Sequence, residues 1–329
     1  MYIGFRYNFY KMKYYFLLLT FLLFRLSFGQ GCSDAGFCTM GAMKPDQNYN
    51  TKAKYKLNSL SISQYRGKTT LSPINYTTTI EANISILDKT QVQVKLPYTY
   101  IKGNLGTSSG LGDISISATR LLHQADNYKL SFTLGAKIPT NNSTQKGDKV
   151  FTIPDTTVSR TLPMYYQTSL GSFDVVTGIS LVSKKWLFAA GYQQALTRNK
   201  NDFKWGEWRD YPSKAYLEKH PRATHLLRGI DVMLRAERNW RFSRWNFSIG
   251  ALPIWRITKD SRRSVNLEKE IKVDKTTGMA LSILAGAGYQ FNVNHGLKFI
   301  YGKKITDREV NPDGLTRHAV LSITYYANF

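Results

Sequence analysis

Cysteine is nearly absent from this 329-residue chain, with only Cys32 and Cys38 close together near the N-terminus. Two cysteines cannot staple a protein of this size, so the fold must rest on backbone pairing and packing. Long apolar runs are equally scarce. Past residue 28 no eighteen consecutive apolar residues occur, which excludes a transmembrane helix from the remainder of the chain. Neither His-x-Glu nor Cys-x-x-Cys metal spacing is present, and no glycine loop has the form that cradles phosphate, so no metal and no cofactor are expected. Acidic residues are few, 22 against 45 Lys and Arg, for a net charge of +23. That excess invites a nucleic-acid partner. The cations are scattered through loops and strand ends instead of gathered in one patch, and no nucleic-acid partner is expected.

What is present begins with an export signal. Tyr14 to Phe24 is an apolar segment of signal-peptide length, preceded by Arg6, Lys11 and Lys13 and followed by Ser27-Phe28-Gly29, small at the two positions a signal peptidase reads. Residues 1–29 are therefore expected to be removed by a cut before Gln30, with Met12 an equally good start. Residues 30–52 read as a periplasmic tether or an inserted plug. In an oxidising compartment Cys32 and Cys38 are expected to close a small disulfide loop; acylation of Cys32, or Cu(I) held by Cys32, Cys38, Met40 and Met43, are the alternatives.

From residue 53 to 329 one pattern repeats. Runs of about ten residues alternate apolar and polar, as in Val92, Val94, Leu96, Tyr98, Tyr100, or Leu130, Phe132, Leu134, Ala136, Ile138. Such runs are strands with one apolar and one wet face. About twelve can be counted, with expected turns at Asp88-Lys89, Gln124 to Asn127, Ser183 to Lys185, Arg238-Asn239 and Asn292 to Gly296. Between these lie longer stretches near 102–111, 139–163, 198–223, 258–276 and 306–316.

Short and long connections in alternation predict an all-β fold, a transmembrane antiparallel β-barrel with short periplasmic turns and long extracellular loops. The edges must close on each other, because an unpaired backbone group in hydrocarbon costs several kcal/mol. Trp245 and Trp255, ten residues apart on one face, are spaced to mark two membrane interfaces, and Tyr98, Tyr100, Trp186, Tyr192, Tyr289 and Tyr301 fall near other strand ends. The chain ends in an alternating strand carrying Tyr325 and Phe329, which resembles the signal read by outer-membrane assembly machinery. Membrane lipid and that machinery are the expected partners, in the outer membrane of a Gram-negative bacterium.

The run Val94-Lys95-Leu96-Pro97-Tyr98, with Gly110-Leu111-Gly112-Asp113 after it and Leu162-Pro163 leading to Gly171-Ser172-Phe173-Asp174, resembles the outer-membrane family named for the meta-cleavage pathway of phenol degradation. The resemblance spans roughly residues 90–329. It implies a channel for the passive uptake or efflux of small, often aromatic or apolar organic molecules, more distantly similar to long-chain fatty-acid channels.

Lumen-lining candidates follow from the strand phase. Glu81, Asp113, Asp174 and Asp231 face inward with Lys95, Lys129, Lys137, Arg235, Arg244 and Lys298, forming either a selectivity lining or a structural ion-pair network. An outer-membrane enzyme would need a Ser and a His held together on the outward rim, and none of the five histidines is so placed, so no catalytic residues are assigned. The remaining alternative is a binding or structural protein. Its surface would be the loops, where Phe203 to Arg209 either meets a partner or forms a loop core folded over the pore.

Overall fold

The computed structural model describes residues 40, 43, 56–148, 159–264, 266 and 268–329. The expected signal segment and the expected Cys32–Cys38 disulfide lie outside the described residues. Strands β1 (Lys56–Thr69), β2 (Ile74–Leu87) and β3 (Thr90–Gly103) open the sheet, followed by β4 (Gly106–Leu111), β5 (Ile114–Gln124) and β6 (Tyr128–Ile138). A hairpin of β7 (Lys146–Asp148) and β8 (Ser159–Thr161) precedes β9 (Asp174–Ser183), β10 (Trp186–Ala195), β11 (Asp231–Phe242) and β12 (Trp245–Arg256). A second hairpin, β13 (Ser261–Arg263) and β14 (Glu270–Lys272), leads to β15 (Gly278–Gln290), β16 (His295–Lys304) and β17 (Arg317–Asn328).

All the pairings in the sheet are antiparallel, and β1 pairs with β17 from Ser59↔Asn328 to Thr69↔Arg317, which closes the sheet into a barrel of twelve strands. The twelve count β4 and β5 as one strand. β4 pairs with the upper half of β3 and β5 with its lower half, and Gly112 N–H donates to Pro97 O (2.8 Å) across the break.

Two connections differ from expectation. The stretch 102–111 is no loop, because its Gly, Ser and Thr residues extend β3 and β4 into a tight hairpin at Asn104-Leu105. Alternation is absent there because neither face needs to be apolar above the membrane. The turn expected at Arg238-Asn239 lies instead at Ser243-Arg244, since Trp240 and Phe242 continue the outward row of β11 beside Phe247 and Trp245. Arg244 is consequently an exposed turn residue and not a strand residue. All the described turns on this side of the barrel are short, and both ends of the strand array, Lys56 and Asn328, lie with them; the connections 139–173, 196–230, 257–277 and 305–316 gather at the opposite, long-loop end.

The outer face is a band of exposed apolar side chains, among them Leu60, Ile62, Ile80, Leu96, Leu134, Ile249 and Ile323. Water-facing surfaces rarely carry an apolar patch beyond a few hundred Å². This band encircles the barrel, as a lipid-spanning wall requires. Rings border it at both ends. On the short-turn side Trp245 meets Tyr289 (ring centroids 4.7 Å), Tyr289 meets Phe291 (5.3 Å) and Trp186 stacks on Phe188 (5.6 Å). Towards the loops stand Tyr98, Tyr100, Tyr192, Tyr301 and Trp255, the last paired with Met279 at the far end of the strand that begins at Trp245. In the final strand the Tyr325 ring stacks on His295 (5.9 Å), and Phe329 N–H donates to Asn58 O (2.9 Å).

Candidate functional site: a lumen capped at one end

Strand phase puts Ser, Thr, Asn and Gln inside. A cavity of about 930 Å³ runs from the short turns, where Asp126, Lys184 and Arg244 line it, up to Met164, Gln167 and Asp313 beneath the loops. One wall is a sheet of neutral hydrogen-bonding groups, including Ser61 and Ser63 on β1, Thr77 and Thr79 on β2, Gln93 on β3 and Ser322 and Thr324 on β17. The charges on this wall are tied back: Lys95 Nζ lies 3.6 Å from Glu81, whose carboxylate also accepts from Asn83 and Gln93 at 3.0 Å each.

Beside the cavity, inside the barrel, lies an apolar cluster of which Leu284 and Leu315 line the cavity. Met40 and Met43, from the N-terminal segment, lie fully inside the barrel against Val176, Ala189, Met233, Leu252, Leu284 and Leu315. Glycine makes their seats. A Cβ on Gly135 would fall 2.7 Å from the Met40 sulfur, and one on Gly178 would fall 2.8 Å from that of Met43, so any larger residue would push the thioethers off the wall. Arg235 donates to Met43 O (3.3 Å) and pairs with Glu237 on the same strand. The segment expected to be a tether or plug thus enters the lumen at these two residues.

At the long-loop end the lumen is roofed. Ile101, Leu105, Leu162, Tyr165, Tyr166, Phe203, Trp208 and Leu217 form an apolar core drawn from β3 and two long loops. Trp208 Nε1 donates to Thr161 O (3.0 Å), and Asn201 donates to Ser143 O (2.9 Å) and Leu162 O (3.1 Å). The Phe203 to Arg209 stretch is therefore chiefly loop core. His220 sits fully buried among Tyr165 (5.2 Å between centroids), Tyr216 (5.1 Å), Tyr166 and Phe203. Neither ring nitrogen has a hydrogen-bond partner, and burial pushes its pKa down to about 3.

Between roof and barrel lies a layer of buried ion pairs. Arg256, at the top of β12, donates through Nε and Nη2 to both oxygens of Asp231 (2.8 and 2.7 Å) and through Nη1 to Asp260 (2.9 and 3.0 Å), with Asp313 also 2.9 Å away. Arg228 pairs with Asp174, which accepts further from Ser172 (2.9 Å) and Gln193 (2.5 Å). Burial would raise the Asp313 pKa, but Arg256, Arg308 and Arg228 together hold it well below the usual carboxylate range. Asp113 sits in the break between β4 and β5. It accepts from Ser169 Oγ and from Leu170 N–H (3.1 Å), with Lys137 3.7 Å away, and so fastens the first long loop inward.

The expected lumen residues divide accordingly. Glu81, Lys95, Asp113, Lys129, Arg235, Lys298 and Arg244 line the cavity, Arg244 at its mouth, whereas Lys137, Asp174 and Asp231 lie behind it in the ion-pair layer. Arg228, Arg256, Asp260, Asp313, Met40 and Met43 were not singled out from the sequence as site residues on the lumen wall. Arg256 could have been, since it continues the inward phase of Leu252 and Ile254; the loop aspartates offered no period to read.

No protein-family model matches the chain, and no curated protein matches its sequence. Among solved structures, the fold is similar to an outer membrane channel from Pseudomonas putida F1, with a TM-score of 0.58 at 12% identity over 86% of this chain and 99% of that one. Weaker likenesses, each with a TM-score of 0.41, include the NanC porin (9% identity, 83% of this chain, 99% of that one) and the CymD monoaromatic hydrocarbon channel (12%, 92% and 98%). At these identities the likeness is one of fold.

Proposed function

We propose that the protein is an outer-membrane channel for small organic molecules, with its long loops outside the cell and its short turns in the periplasm. The observation that carries this is the lumen itself, a continuous cavity of about 930 Å³ inside a closed barrel whose exterior suits lipid. The fold shared with the Pseudomonas putida channel supports the reading.

The cavity lining mixes hydroxyls and carboxamides with the apolar side chains of Met164, Leu170, Leu284, Leu315 and Val320. A permeant with an apolar body and a hydrogen-bonding edge, of which phenols are the simplest, satisfies both at once. The roof and the Met40 and Met43 peg make the state described here a closed one, so passage requires the cap to open. Planar-bilayer current in potassium chloride tests the reading. A phenol added on the short-turn side should block that current reversibly while glycerol at equal concentration should not. Equal effects of the two would refute the substrate class and leave the channel standing.

A further inference from the structure

Register places an unusual row of cations on the outside of the barrel. Lys303 on β16 pairs with Ala319 on β17, Ala319 with Lys68 on β1, Lys68 with Ile74 on β2, and Ile74 with Lys102 on β3. All five belong to the outward phase. A lysine therefore stands on every second strand, roughly 10 Å from the next at normal strand spacing. The row beneath runs Tyr301, Leu321, Arg66, Tyr76, Tyr100 by the same pairings, with the Arg66 guanidinium 6.0 Å over the Tyr76 ring and Tyr76 6.4 Å from Tyr100. The only acid on these five strands is Glu81, and it faces the lumen. Among the described residues, Arg66, Lys68, Lys102 and Lys303 make no salt bridge.

Aromatic rows mark the edge of the hydrocarbon, so a cation row directly beyond one stands at the level of lipid headgroup phosphates. Four cations spread over five neighbouring strands, with no outward acid on those strands to neutralise them, need anions from outside the chain. With the long loops facing outward, as proposed above, these cations face the outer leaflet.

We propose that Arg66, Lys68, Lys102 and Lys303 form a binding surface for a phosphorylated glycolipid of the outer leaflet, its phosphates bridging the lysines and its acyl chains lying down the apolar face below. The orientation rests on the channel reading, but the binding does not, and it is measured without any current. Purified protein in neutral detergent is titrated with diphosphoryl lipid A, and bound lipid is counted by native mass spectrometry. Arms with dephosphorylated lipid A and with phosphatidylglycerol separate phosphate on a sugar from a phospholipid headgroup.

The wild type should hold diphosphoryl lipid A, and the Lys68→Gln, Lys102→Gln, Lys303→Gln triple variant should bind it roughly a hundredfold more weakly. Arginine at the same three positions should retain binding. Gln at Lys89, Arg120 and Lys185, exposed near the other end, should change nothing. Unaltered binding by the folded Gln triple variant, or equal binding of phosphatidylglycerol, would overturn the assignment. Because every substituted side chain points away from the core, a heat-modifiable gel shift suffices to confirm that each variant is folded.

Discussion

Arg256→Met is the perturbation that should most clearly separate the roof from the barrel. The guanidinium is buried and is shared by Asp231, Asp260 and Asp313, three carboxylates from β11 and two different loops. Met fills a similar volume but leaves those three acids with only Arg228 and Arg308 near them. Removing one partner of a buried pair costs about 3–5 kcal/mol, because the remaining charge keeps its desolvation penalty without its attraction. Asp260 also accepts Gly229 N–H (2.7 Å), so the loops can relieve the strain by lifting while the strands below stay paired. If the whole cost falls on roof closure, the open population rises roughly 10²–10⁴-fold, since 1.4 kcal/mol is a factor of ten. Limited proteolysis of the folded variant reads this directly: cleavage within 196–230 should accelerate while the barrel keeps its heat-modifiable gel shift. Adding Asp313→Asn should recover part of the protection by removing one uncompensated charge. Wild-type cleavage in Arg256→Met, or no recovery in the double variant, would refute the ion-pair layer as the roof's latch.

The Asp174→Asn change removes the acid that pairs with Arg228 behind the cavity wall; it should lower thermal stability by several kcal/mol and leave ion selectivity unchanged, as reversal potentials across a salt gradient would report. The roof should also loosen in acid. His220 titrates at about 3 when folded against an ordinary 6.5, so the open roof binds the proton more readily; closure is complete above about 6.5 and weakens as pH falls toward 3, by up to about 1.4 kcal/mol per unit. His220→Phe, which suits the surrounding rings, should flatten the part of the pH dependence of loop proteolysis that the wild type shows between those values. Trp208→Ala should destabilise the roof by about 3–5 kcal/mol, seen as faster cleavage at neutral pH, because it empties the centre of the loop core.

The barrel was legible in the sequence wherever lipid imposed alternation. Outside the membrane that constraint lapses, and there the reading failed: Gly106 to Leu111 pair as a strand with no apolar face to announce it. Ser243-Arg244 was misplaced for the opposite reason, since Trp240 and Phe242 extend the outward row past a turn-like Arg-Asn pair. The short motif residues turned out to share a place: Pro97, Gly112, Asp113 and Asp174 all sit where the first long loop is fastened to the wall. Their inward phase was readable, but whether each meets solvent or a partner was not. Arg228, Asp260 and Asp313 come from irregular loops, and only folding brings them to Arg256. Met40 and Met43 were noticed as soft ligands, whereas their role against Gly135 and Gly178 depends on glycines from strands nearly a hundred or more residues further on.

Single-channel current tests the central claim most directly, namely that the lumen is a conduction path narrowed by the methionine peg and shut by the roof. Three proteins should be compared in planar bilayers under the same salt gradient: the wild type, Arg256→Met, and Met40→Ala with Met43→Ala. The wild type should open rarely. Arg256→Met should open often at the wild-type step size, and the methionine variant should open as rarely as the wild type but with larger steps. Silence from all three folded proteins, or one step size and one open probability shared by all, would contradict it.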